Sequence, residues 1–133
     1  MGNATTSRAA LEVARRYHDA WSSKNFDEAA RYLSPELETD VPLNTYDGRD
    51  DFVGALTGFG GLVTHVDLLA EFENGDEALL LYDLTVEQVG VMRVAEDFTV
   101  ADAVITRIRH VHDTADLRAA GFAAAGGTDG NDG

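Results

Sequence analysis

Apolar residues recur every three or four positions through the first half of the chain and alternate with polar ones through the second. The change falls near Thr64 and predicts helices followed by strands. Ala10, Val13, Ala14, Tyr17 and Trp21 share one face of a predicted helix over 9–23, with Glu12, Arg15, Arg16 and Asp19 on the other. Asn25 reads as the N-cap of a second helix, with Glu28 in capping-box position. Phe26, Ala29, Ala30 and Leu33 form its inward stripe and Pro35 its end. An extended segment over 37–43 follows. Gly48 and the acidic pair Asp50-Asp51 predict a third helix start, with Phe52, Leu56 and Phe59 inward and Gly58, Gly60 and Gly61 in the loop beyond.

Val66, Leu68, Ala70 and Phe72 alternate with His65, Asp67, Leu69 and Glu71, the pattern of a half-buried strand. Asn74-Gly75 predicts a two-residue hairpin turn. The stretch 77–87 is apolar on both faces and predicts a central strand. Strands over 91–100 and 104–113 complete a meander. Three helices ahead of a four-stranded antiparallel meander predict an α+β fold, with the helices closing one face of a curved sheet. The last residues, from Gly121 on, are rich in Gly, Ala and Asp without periodicity and predict a disordered tail.

Strand period and turn length together set which side chains face the core, because one residue of slip inverts them. A two-residue turn at 74–75 sets Leu81 opposite Leu68 and Asp83 opposite Val66, on the apolar face of the first strand. A four-residue turn at 87–90 then pairs Asp83 with Val94 and brings Met92, Glu96 and Phe98 to the same face. A three-residue turn at 101–103 adds Ile108, His110 and His112 and sends Arg107 and Arg109 outward. The inner face thus carries Asp83, Glu96, His110 and His112 on an otherwise apolar sheet. Buried ionisable groups are costly unless they are paired or do chemistry. A carboxylate beside an imidazole suits a general base or acid near neutral pH, with His110 at the centre and Asp83 or Glu96 in support. The plainer readings are that Glu96 only pairs with a neighbour and that His112 only packs. Metal binding by His110-x-His112 is a third reading. Leu80, Tyr82 and Leu84 face outward in this register and predict the interface of a two-fold homodimer.

Length and charge narrow the classes. A chain of 133 residues suits one domain, expected over 9–122, with a flexible lead at 1–8 and the tail at 123–133. With 24 acidic and 10 basic residues the net charge is −14, which argues against nucleic acid or an anionic membrane as partner. There is no cysteine, so disulfides, thiolate nucleophiles and Cys-ligated metals are excluded. Neither a membrane-length apolar run nor a signal-like apolar N-terminus is found, and a cytoplasmic location is expected.

Several stretches resemble a known family. Tyr17-His18-Asp19-Ala20-Trp21, then Phe26-Asp27-Glu28-Ala29-Ala30 and Leu33, resemble the opening helices of SnoaL-like proteins in the nuclear transport factor 2 (NTF2) superfamily. Asp47-Gly48-Arg49-Asp50-Asp51-Phe52 resembles their third-helix entry. Ala95-Glu96-Asp97-Phe98-Thr99-Val100 and the run from Ile105 to Thr114 resemble their last two strands. The resemblance implies a cone-shaped pocket between helices and a strongly curved sheet, usually in a homodimer. The superfamily's enzymes include polyketide cyclases, ketosteroid isomerase, limonene-epoxide hydrolase and scytalone dehydratase, which use pocket acids, bases and hydroxyls rather than a cofactor. Tyr17 falls where ketosteroid isomerase keeps its oxyanion tyrosine, and Asp40 lies close to its base aspartate.

The expectation is therefore a small cofactor-free enzyme acting on an apolar metabolite by isomerisation, cyclisation or hydrolysis. His110, Asp83, Glu96 and Tyr17 would carry the chemistry. Trp21, Asp40, Phe52, Leu56, Leu81, Met92, Val94, Phe98, Ile108 and His112 would line the pocket, with no metal. The alternative is a non-catalytic protein that binds a small ligand or serves as a dimeric accessory module.

Overall fold

In the computed structural model, which describes residues 2–121, helix α1 (Gly2–Ser22) is followed by α2 (Phe26–Arg31), β1 (Leu33–Asp40) and α3 (Gly48–Gly60). Strands β2 (Val63–Asn74), β3 (Glu77–Val86), β4 (Gly90–Ala101) and β5 (Val104–Val111) and the short helix α4 (Ala115–Ala119) complete the chain. The expected tail lies outside the described residues. Among those residues, no helix is long and apolar enough to cross a membrane.

The first helix begins at Gly2, well before the apolar stripe that announced it and across the residues expected to form a flexible lead. Periodicity marks only the packed part of a helix, whereas backbone hydrogen bonding can extend beyond it. The Asn25 side chain accepts from the Glu28 N–H and opens α2, as its sequence position implies. Leu33 and Pro35 belong to β1, not to the end of α2. β1 pairs in parallel with β5 at the sheet edge, and its register shifts between Leu33 and Glu38, around the proline. Edge position and irregular pairing are the settings in which a strand tolerates proline. The sheet therefore has five strands in the order β1-β5-β4-β3-β2, one more than the meander alone.

Helix α1 crosses β2, β3 and β4, and α3 packs on β1, so the helices cover one face. Tyr17, Leu33, Leu80, Phe98, Ile105 and Ile108 lie at the centre of the core. Each large apolar side chain buried there contributes about 1.5–3 kcal/mol. Gly48 starts α3 at φ +84, and a Cβ at that position would lie 3.2 Å from the Pro35 carbonyl oxygen. The chain's one lysine closes the other end of the helix: Lys24 Nζ donates to the carbonyls of Gly60 at 2.6 Å and Val63 at 2.5 Å. A cation at a helix C-terminus satisfies carbonyls that have no partner within the helix.

The turns correct the expected facing of two strands. The first hairpin turns at Gly75-Asp76, with Asn74 opposite Glu77, and Gly75 alone takes positive φ. That moves every partner by two and preserves the faces. A bulge between Leu68 and Ala70 then inverts the far half of β2, leaving Phe72 on the outside and 60% exposed. Between β3 and β4 the loop is three residues, with Val86 opposite Gly90, one fewer than expected. Gln88 reverses the chain at φ 71, which shortens the loop. This one-residue difference turns β3 over: Ala78, Leu80, Tyr82, Leu84 and Val86 point into the core, and Leu79, Leu81 and Asp83 point out. Tyr82, Leu80 and Leu84 are thus core residues and cannot form a subunit interface.

The last hairpin turns on Asp102-Ala103, both at positive φ, as a type I′ turn requires. Alanine is costly in that conformation. Replacing Ala103 with Gly is expected to stabilise the fold by about 1 kcal/mol, read as a higher denaturation midpoint in urea at unchanged slope.

Candidate functional site

Between the helices and the inner sheet face lies a cavity of about 270 Å³. One turn of α1 presents Tyr17 and Trp21, and α3 presents Phe52, Ala55, Leu56 and Phe59. The sheet supplies Tyr82 and Leu84 from β3, Met92, Val94 and Glu96 from β4, and His110 from the end of β5, with His112 just beyond. The mouth is built by the loop between β1 and α3, through Val41, Pro42, Leu43, Asn44 and Tyr46, and by Leu117 of α4. Leu43 sits at φ 78, a left-handed conformation that costs a branched side chain about 1–2 kcal/mol. Tyr46 stands edge-on to Phe52, with ring centroids 5.5 Å apart, which ties the loop to α3.

The polar centre is Glu96, which is 1% exposed. Its Oε2 lies 2.6 Å from His110 Nε2, and its Oε1 accepts the Tyr82 hydroxyl at 2.8 Å. Burial opposes ionisation of Glu96, but the charge and hydrogen bond of His110 and the Tyr82 hydroxyl outweigh it and hold the carboxyl below its ordinary range. An ionised carboxylate can only accept, so His110 carries a proton on Nε2 and its neutral form is bare at Nδ1. Burial and then the nearby Glu96 charge keep the Tyr17 and Tyr82 phenols protonated well past their usual range. No hydrogen bond among the described residues engages the Tyr17 hydroxyl, so this donor is free to serve a bound molecule. A fixed acceptor, a base and a donor thus border one apolar space.

Of the residues singled out from sequence, the structure brings His110, Glu96, Tyr17, Trp21, Phe52, Leu56, Met92, Val94 and His112 to the cavity. Asp83 does not join them: it points outward and pairs with Arg93, Oδ1 to Nε at 2.7 Å, which lowers its pKa. Leu81 is on the same outer face. Asp40, at the sheet edge opposite Arg109, is exposed and does not line the cavity. Phe98 and Ile108 are fully buried behind the wall, Phe98 edge-on to Tyr17 at 5.7 Å. Among the described residues, no group of three or more His, Asp or Glu side chains is placed to hold a metal ion.

Tyr82 and Leu84 border the cavity from a face that the expected four-residue turn before β4 sends outward. A further residue that sequence patterning does not mark is His18. It is 3% exposed, tilted on Tyr82 at 4.8 Å between centroids and edge-on to Trp21 at 5.5 Å, and its Nδ1 has no partner.

A curved five-stranded sheet closed by helices into a cone with a polar-centred pocket is the NTF2-like architecture. The profile of the SnoaL-like domain matches residues 14–122, and the chain belongs to that family. No curated protein matches it. Among solved structures, a protein from Kribbella flavida is 32% identical over 90% of this chain and 98% of its own, with a TM-score of 0.82. An NTF2-like protein of unknown function from Cytophaga hutchinsonii is 15% identical over 82% of this chain and 94% of its own, at 0.72. A protein with a ketosteroid isomerase-like fold from Catenulispora acidiphila, in complex with trimethylamine, is 14% identical over 81% of this chain and 90% of its own, at 0.67. The last two likenesses concern the fold.

Burial lowers the His18 pKa, and the opposing Glu96 charge only partly offsets this. An unfolded histidine takes up its proton near pH 6.5 and the folded one only below that, so stability is lost as pH falls through this window. His112 shifts in the same direction, also chiefly by burial. Urea denaturation is expected to show lower stability at pH 5.5 than at 7.5, and His18→Phe is expected to shrink the difference. An unchanged difference would assign it to other groups.

Proposed function

We propose that the chain is a small-molecule enzyme that moves a proton without a cofactor, with His110 as base and acid. The Glu96–His110 contact at 2.6 Å on the cavity wall carries this reading. In it, Nδ1 of His110 takes a proton from a carbon next to a carbonyl. The electron pair moves onto the carbonyl oxygen, where the Tyr17 hydroxyl meets the developing charge. Glu96 holds the imidazole in one tautomer and balances its positive charge, and Tyr82 holds Glu96. Returning the proton to a second carbon gives isomerisation. Attack by the enolate carbon on a second carbonyl of the same molecule, whose π pair moves to its oxygen and takes the proton back from His110, gives cyclisation.

The cavity volume falls just below the roughly 300–1,000 Å³ of sites for drug-sized ligands, so the substrate is compact and largely apolar. A second reading, a binding protein for a small molecule, draws on the trimethylamine held by the Catenulispora protein. The two differ in one measurement. Small cyclic ketones incubated in D2O are expected to exchange their α-hydrogens faster with the protein than without. His110→Gln should cut that rate about 10²–10⁴-fold and Tyr17→Phe about 10²–10³-fold. Arg107→Gln, on the outer face, should leave it unchanged. No exchange, or exchange indifferent to His110, favours the binding protein.

We further propose a homodimer through the outer sheet face, carried by residues other than those first expected. Ala70, Leu81, Ala95 and Val111 lie in register across β2, β3, β4 and β5, and Val111 is 71% exposed. Such a stripe is what a two-fold contact would cover. Sedimentation at micromolar concentration is expected to give twice the 14.3 kDa chain mass, and Leu81→Glu to give the single chain.

A further inference from the structure

His110 lies at the end of β5 and His112 just past it, two residues on, and their rings lie 6.3 Å apart, tilted by 52°. Both border the cavity, yet their hydrogen bonds fix opposite tautomers. His110 donates its Nε2–H to the Glu96 carboxylate in a hydrogen bond. His112 Nδ1 lies 3.1 Å from the Asp113 carbonyl oxygen, which can only accept, so the proton is on Nδ1. The bare nitrogen of His112 is therefore Nε2. No hydrogen bond among the described residues uses it. Burial, only partly offset by the Asp113 carbonyl, also favours the neutral ring of His112.

Among the described residues no other bare ring nitrogen borders the cavity, where the remaining polar side chains are Glu96, Tyr17, Tyr46, Tyr82, Trp21 and Asn44. Both oxygens of Glu96 are engaged, and the phenols of Tyr17 and Tyr82 are protonated. Around them the wall is apolar, through Trp21, Phe52, Leu56, Met92 and Val94. A substrate that reaches His110 with its acidic carbon thus meets a single further nitrogen lone pair, one ring away.

We propose that His112 is a specificity-determining residue: its Nε2 accepts a hydrogen bond from a substrate hydroxyl, so the preferred substrate is a compact hydroxy-carbonyl compound whose hydroxyl lies across the molecule from the acidic C–H. This rests on the reading of the cavity as a small-molecule site. It does not require that His110 catalyse. The hydroxyl end sets the orientation, and the Tyr17 hydroxyl takes the carbonyl oxygen at the other end. Each polar group of the ligand then meets a complementary partner: the site's free donor faces an acceptor and its free acceptor faces a donor. A ligand lacking the hydroxyl leaves Nε2 of His112 without a partner when the cavity is filled, and that group loses its water for nothing in return.

The test compares 4-hydroxycyclohexanone with 4-methylcyclohexanone, which matches its shape without the donor, by NMR titration of the full chain. The wild type is expected to bind the alcohol about three- to tenfold more tightly, the range of one neutral hydrogen bond. His112→Phe should abolish the preference while still binding the methyl ketone, and His112→Gln, whose amide oxygen can accept, should restore part of it. Equal affinities in the wild type, a preference that survives in His112→Phe, or no binding of the alcohol each overturn the proposal. Deuterium exchange at the α-carbon, read in the same samples, separates the two ideas. A preference without exchange would defeat the acid–base reading and leave the role of His112 standing; exchange without a preference would do the reverse.

Discussion

A carboxylate with 1% exposure has to be compensated, and much of the inner architecture follows from that requirement. Isolated, the charge of Glu96 would cost several kcal/mol to bury. The imidazole of His110 and the hydroxyl of Tyr82 each take one of its oxygens, so β3, β4 and β5 must stay in one register to keep the trio together. In that register Leu80 and His110 flank Glu96 directly, and Tyr82 reaches it from two residues along β3. The interaction holds the sheet in alignment and also prepares the polar centre of the cavity.

Much of the fold was legible because it depends on periodicity. The amphipathic α1, the Asn25 cap, the turn from helices to strands near Thr64 and the strands themselves are all local patterns, and the family motifs add their order. Facing is different. On β4 and β5 the inward set Met92, Val94, Glu96, Phe98, Ile108 and His110 was readable, since polar and apolar residues alternate there. On β3 the run Ala78-Leu79-Leu80-Leu81-Tyr82 is apolar on both sides, so its faces depended on the turn alone. Gln88 at positive φ shortened that turn in a way composition does not announce, and Asp83 and Tyr82 exchanged roles.

The cavity was legible in its sheet and helix walls but not at its mouth. Val41 to Tyr46 has no period, and a five-residue α4 is too short to leave one, yet both reach the same space. Loops and single-turn helices owe their position to what they pack against, as Tyr46 does on Phe52. His18 was overlooked for another reason. Sequence places it beside Tyr17 on α1, but only the tertiary arrangement sets its ring against Tyr82 and Trp21.

Lys24 has a consequence for labelling chemistry. It carries the chain's one side-chain amine, and that amine is occupied by two carbonyls at the seam between α3 and β2. Acylation would turn this amine into an amide with a single N–H, which can no longer donate to both carbonyls. Labelling at Lys24 would then cut the clasp between α3 and β2 to one hydrogen bond, and the change in local opening would measure how far that side of the cone depends on it.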